Sequence, residues 1–213
     1  LLELSRCYKL SLDTGWDVPP GVLHAPGSLC TYEPQVASDV YAMYQSVLYG
    51  GQCVPGDLLW KDTPAEKKNN FDYLIEVMDW ELNIDSEFHK NRFMAPKPVA
   101  DMDAMLEDGY VEEWICYKCK DVCAKRLTIL PGRSVIIKDS AAYGVIMLQG
   151  HGRFGVWDIE TPVLIRYGQL TRDEYFVTEA AAKKGVAIKN DSSTEPVVML
   201  KHFAENPDLS YIS

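Results

Sequence analysis

The stretch from Tyr110 to Phe203 constrains the fold most. Its apolar and polar residues alternate in short runs, and Gly, Pro, Asp or Ser clusters interrupt them every eight to twelve positions. Side chains on a strand alternate faces, so this pattern predicts half-buried strands over Val111–Tyr117, Ala124–Leu130, Val135–Lys138, Tyr143–Gln149, Phe154–Asp158, Val163–Tyr167, Glu174–Thr178, Val186–Asn190 and Val197–Phe203. Many short strands joined by turns make an all-β barrel or sandwich.

The remaining segments read differently. Cys7–Leu12 alternates and predicts a strand. Val40–Tyr49, rich in Tyr and Val, predicts a longer one ended by Gly50-Gly51. Residues 53–70 carry Pro55-Gly56, Pro64 and mixed charge, which suits a surface excursion. Apolar residues at Phe71, Leu74, Ile75, Met78 and Leu82 have helical spacing, so one amphipathic helix is expected over Phe71–Leu82, capped by Asn69 or Asn70. Asn83–Asp108, with Ala95-Pro96-Lys97-Pro98, has no clear period and predicts an irregular connection.

Near the start, two short apolar runs flank Pro26-Gly27, a pair suited to a tight turn. A hairpin centred there sets His24 opposite Leu29. Val22, His24, Leu29, Thr31, Glu33 and Gln35 then share one face. An imidazole, a hydroxyl, a carboxylate and an amide on one face suit a pocket lining better than a core.

Pro20-Gly21-(x)2-His24-Ala25, followed by Glu33-Pro34-Gln35 and Ser38-Asp39, resembles the second metal motif of cupin-fold mannose-6-phosphate isomerases and their relatives. The likeness is specific over about twenty residues. Later landmarks resemble a cupin in their order: Leu130-Pro131-Gly132 the opening turn, Gly150-His151-Gly152 the G-x-G, Gly168-Gln169 to Val177 the following strand, and Asn190 the closing Asn. The resemblance implies an all-β fold of two tandem cupin (double-stranded β-helix, jelly-roll) barrels with a partly helical insertion. Residues 1–52 would be the C-terminal part of a first barrel, 53–109 the insertion and 110–213 a second barrel. No His precedes Pro19, so the first barrel's other metal motif is expected upstream of this chain.

The same resemblance implies a metal-dependent enzyme that interconverts aldoses and ketoses by metal-polarised proton transfer. His24 would bind one divalent ion, Zn first, with Fe, Mn or Ni as alternatives. Glu33 lies four residues beyond the partner of His24, roughly 13 Å along a strand. That is too far to share the ion in this register, so Glu33 is assigned as the proton-moving base and Thr31, Gln35, Ser38 and Asp39 as sugar contacts. The family's phosphate-binding Arg is replaced by Met43, which favours a neutral sugar, another small polar molecule or no catalysis at all over a phosphosugar. The second barrel offers Lys138-Asp139-Ser140 and Tyr143-Gly144 in place of the His-x-His and Glu, and Gly185 or a neighbour in place of the second His. Its role is expected to be structural, or that of a dimerisation or lid domain. An Fe-dependent cupin oxygenase and a non-catalytic sugar-binding cupin are the alternative functions.

Composition limits the partners. The formal charge of −10 argues against nucleic acid and anionic membranes, which select basic surfaces. No apolar run approaches the roughly 20 residues that span a bilayer, and a cytoplasmic location is expected. The exposed strand edges of a cupin barrel allow a homodimer. Cys116-x-x-Cys119-x-x-x-Cys123 supplies three local sulfurs where structural zinc wants four ligands, so these read as reduced core or edge thiols. His89, in a charged stretch, reads as solvated, and His151 and His202 read as structural.

Overall fold

The computed structural model describes residues 5–27, 29–37, 40–48, 50–164 and 166–204. The chain forms two compact units, one of residues 1–11 with 18–93 and one of 12–17 with 94–213. Two-residue strands β1 (Gly15–Trp16), β2 (Phe93–Met94) and β3 (Lys97–Pro98) precede nine longer ones. These are β4 (Tyr110–Cys116), β5 (Cys123–Ile129), β6 (Ser134–Ile137), β7 (Tyr143–Gln149), β8 (His151–Phe154), β9 (Trp157–Glu160), β10 (Glu174–Val177), β11 (Val186–Asn190) and β12 (Val197–Phe203). The helices are α1 (Phe71–Glu76), α2 (Trp80–Asn83), α3 (Phe88–Arg92), α4 (Met102–Asp108) and α5 (Glu179–Lys184).

The second unit is a two-sheet barrel. One sheet runs β10-β7-β12-β5-β4-β3 and the other β6-β11-β8-β9, with every pairing antiparallel. From β5 to β12 the chain crosses between the sheets at every step except the β8–β9 hairpin, in the winding of a jelly roll. The core follows from the alternation. Leu127, Ile129, Val145, Met147, Val197 and Met199 are buried on the inward phase of the larger sheet, and Val135, Ile137, Phe154, Ile159 and Ile188 on that of the smaller one. Asn190, fully buried, ties strand ends together: its Nδ2 donates to the carbonyls of Ile129 (3.1 Å) and Glu195 (2.8 Å), and its Oδ1 accepts from Ser192 N (2.9 Å).

Seven of the expected strands form within a residue or two of their predicted bounds. The other two predictions fail at turns. Phe154–Asp158 is the turn of a hairpin between β8 and β9, where Gly155 takes φ +62. Val163–Tyr167 gives way to a 3-10 turn opened by Pro162, whose ring leaves no N–H for a ladder.

In the first unit the expected hairpin over 22–35 is not formed: neither arm is a strand among the described residues. Pro26 and Pro34 remove donors, and the first arm is bonded elsewhere. Leu23 N donates to Asn83 Oδ1 (2.9 Å), and the Gly21 carbonyl accepts from Asn83 Nδ2 (2.7 Å) and Asp79 N (3.1 Å). The register that set His24 against Leu29 therefore does not exist. Cys7–Leu12 is irregular. Among the described residues, the segment from Val40 turns at Gly50-Gly51 as expected but makes one isolated bridge, Val47 to Cys53, flanked by hydrogen bonds from Leu48 N to the Gln52 carbonyl (2.8 Å) and from Val54 N to the Ser46 carbonyl (2.9 Å). Upstream, Tyr41 N meets Asp62 Oδ2 at 2.7 Å.

The predicted helix over 71–82 is two helices. Asn70 caps α1 by accepting from Tyr73 N (3.3 Å), as expected, but Asp79 caps α2 by accepting from Leu82 N (3.0 Å) and breaks the run. The connection expected to be irregular over 83–108 holds α3 and α4. Asp101 caps α4 through Ala104 N (3.0 Å), and Gly109 ends it at φ +94.

Candidate functional site

The residues picked out as a metal and substrate site lie on the irregular backbone of the first unit. His24 is exposed, and its Nδ1 donates to the carbonyl of Val22 (2.9 Å). Thr31 and Glu33, also exposed, meet each other: the hydroxyl donates to Oε1 at 2.8 Å. Gln35 is exposed, and Ser38 and Asp39 lie outside the described residues. Among the described residues no group of three or more His, Cys, Asp or Glu side chains is arranged to hold a metal ion.

The barrel interior holds a site that the sequence reading passed over. Glu112 and Trp114 point inward from β4, Lys125 from β5, Lys201 and Phe203 from β12, and Tyr143 from β7. Asp139 arrives from the end of β6 in the opposite sheet, its N–H held by the carbonyl of Ala182 at 3.1 Å. The four charged groups close a ring. Lys201 Nζ lies 2.5 Å from Glu112 Oε1 and 2.5 Å from Asp139 Oδ2. Lys125 Nζ lies 2.7 Å from Asp139 Oδ1 and 3.7 Å from Glu112 Oε2. Each carboxylate thus bridges both ammoniums, and the four formal charges cancel.

Aromatic rings shut this cluster from water. Lys125 Nζ sits 4.6 Å from the centroid of Trp114 and 5.5 Å from that of Phe203, and Lys201 Nζ 4.8 Å from that of Tyr143. Burial pulls the Lys125 ammonium down, but Glu112 and then Asp139 outweigh it and hold the group above a lysine's ordinary value. Burial, reinforced by Asp139 and Glu112, pushes the Tyr143 phenol up. The Tyr143 hydroxyl and the Trp114 indole nitrogen are buried without hydrogen-bond partners.

This donor set does not suit a divalent metal. A protonated amine has no lone pair to give, and an added dication would meet two ammoniums already compensated by the only two carboxylates of the ring. Lys138, Ser140 and Gly185, which stand where imidazoles were sought, supply no replacement ligands.

The second feature is an open groove of about 810 Å³ along β9 and the loop that follows it, lined by Trp157, Asp158, Glu160, Gln169, Arg172 and Tyr175 among others. Its floor is braced. Asp158 is paired with Arg153 (3.3 Å) and Arg172 (3.2 Å), the Tyr175 hydroxyl donates to the Asp158 carbonyl (2.6 Å), and the Tyr175 ring stacks on Phe154. Trp157 is 63% exposed.

The strand order is the deciding observation for the fold. It is a jelly roll. No family model and no curated protein matches the chain. Solved structures are similar to parts of it at low identity. A cupin of the RmlC-like kind from Ralstonia eutropha is 10% identical over 52% of this chain and 63% of that one, with a TM-score of 0.36. The oxalate decarboxylase of Lactobacillus farciminis, solved as a formate complex, is 22% identical over 53% of this chain and 32% of that one, at 0.36. Rhodobacter sphaeroides SigE in complex with the anti-sigma ChrR is 12% identical over 45% of this chain and 44% of that one, at 0.34. The chain thus spans less than two thirds of each of these structures.

Proposed function

We propose that this protein is a ligand-binding cupin whose barrel works without a metal, and that its ligand is a small polar molecule of the neutral sugar class. The single observation that carries this reading is the closed ring of Lys125, Asp139, Lys201 and Glu112. It lies in the buried interior of the barrel, and it leaves both ammoniums spoken for. The ligand seat is then the groove beside β9. Exposed Trp157 offers a flat apolar face for the C–H side of a sugar ring, while Asp158, Glu160, Gln169 and Arg172 offer donors and acceptors for hydroxyls.

The aldose–ketose isomerase reading keeps its support from the Pro20–Ala25 and Glu33–Asp39 resemblance. His24, exposed and bonded to its own loop, adds nothing to that support. The Fe-oxygenase reading has no support beyond the barrel itself.

The test is a nitrogen-15 NMR titration with neutral mono- and oligosaccharides in the presence of EDTA. Saturable shifts of the Trp157 indole resonance, lost in Trp157→Ala, are expected, with no change in the sugar. Ketose formation from an aldose, or shifts confined to the segment around His24, would overturn the reading.

A further inference from the structure

Cys116 and Cys119 flank the irregular turn from β4 to β5. Their sulfurs are 3.5 Å apart, and Cys119 Sγ is 3.2 Å from Asp17 Oδ1, a residue of the same unit. Closing to a disulfide length of about 2.05 Å needs a shift of little more than an ångström, within a four-residue turn with no regular structure between the two sulfurs. Cys116 is buried and Cys119 half-buried, so the pair has one protected and one approachable sulfur.

The two thiols are not equivalent. The contact between the two sulfurs holds Cys116 below the usual thiol range, and the same contact, with burial, the charge of Cys116 and Asp17, drives Cys119 up. Cys123, next on β5, is pushed up to about 12 by burial and by the charge of Cys116. Access sets the polarity of an exchange: Cys119, the approachable sulfur beside Asp17, meets the incoming disulfide, Cys116 behind it resolves, and Cys123, fully buried on β5, is a bystander.

We propose that Cys116 and Cys119 are a reversible thiol–disulfide site that reacts with small-molecule or protein disulfides. Cys119 gives up its proton to the adjacent Asp17 carboxylate and attacks one sulfur of the oxidant, whose S–S bond breaks and releases one thiolate. Cys116 then loses its proton to the thiolate released, and its sulfur displaces the second thiolate from Cys119 as the Cys116–Cys119 bond forms. Two electrons pass from the protein to the oxidant, two thiols are released, and the β4–β5 turn is pinned two residues beyond Trp114.

The experiment incubates the reduced protein with oxidised glutathione, quenches in acid and blocks remaining thiols with N-ethylmaleimide before intact-mass and peptide analysis. Of the six cysteines, four are expected to take up maleimide, with a peptide bond-mapped to Cys116–Cys119. Cys123→Ser should give the same disulfide, and Cys116→Ser should trap a glutathione adduct on Cys119. Uptake of maleimide by all six thiols in the wild type, a disulfide to Cys123, or no adduct on Cys119 in Cys116→Ser overturns the proposal.

Discussion

Lys125 and Lys201 stand directly opposite each other on the neighbouring strands β5 and β12, and both point into the barrel. Like charges in register on one face of a sheet repel, and each buried ion costs several kcal/mol of lost hydration. The arrangement holds because Asp139 and Glu112 each reach both ammoniums. Two strands of one sheet are thereby tied to a carboxylate delivered by the other sheet.

Removing one cation leaves the ring with a net negative charge in an apolar site. Lys201→Met should therefore destabilise the protein by about 3–5 kcal/mol. Adding Glu112→Gln restores neutrality, with Lys125 and Asp139 left as a pair. The double variant should recover part of the loss, with a coupling of about 1–3 kcal/mol by urea unfolding. Strict additivity of the two losses would contradict the ring.

Alkaline pH should weaken the fold in a defined window. Lys125, Tyr143 and Cys123 all have raised folded-state values, so the native protein binds more protons than the unfolded chain once pH exceeds their ordinary values of 10.5, 10.0 and 9.0. Their stabilising contribution is complete below about pH 9 and falls as pH rises from there through the folded values. Urea midpoints measured from pH 8 to 11 should decline, and Tyr143→Phe with Cys123→Ser should flatten the decline.

Much of the barrel is legible in the chain because period-two alternation and turn residues report sheet faces directly. The failures are local. Gly155 and Pro162 turned two expected strands into connections, and Asp79 split one helix by capping its second half. The ion ring was legible as well, though it went unread: Lys125 and Lys201 occupy the inward phase of Cys123-Lys125-Leu127-Ile129 and Met199-Lys201-Phe203. A charge in a buried phase demands a partner: Glu112 sits on β4, the strand paired with β5, but Asp139 follows β6 in the opposite sheet, which alternation alone cannot pair with either lysine. The hairpin at Pro26-Gly27 was read from local turn chemistry, yet Asn83, sixty residues further on, takes the backbone groups of its first arm.

Gly144 on β7 lies beneath the His202 ring, so a methyl group built there overlaps the imidazole. Gly144→Ala should cost about 1–3 kcal/mol through this overlap. His202→Ala in the same background should relieve it, whereas an unchanged loss would place the cost in the backbone.

Asn190→Ala removes three hydrogen bonds at a fully buried position and strands the Ile129 and Glu195 carbonyls. A loss of about 2–4 kcal/mol is expected. Asn190→Asp should not rescue it, because a carboxylate cannot donate to either carbonyl.

The most direct test of the metal-free barrel is thermal unfolding with and without EDTA, run beside elemental analysis, for the wild type and Asp139→Asn. The account predicts that the chelator leaves the wild-type midpoint unchanged, and that Asp139→Asn lowers it with no metal lost. A near-stoichiometric divalent metal that departs in Asp139→Asn, together with a midpoint that falls in EDTA, would contradict it.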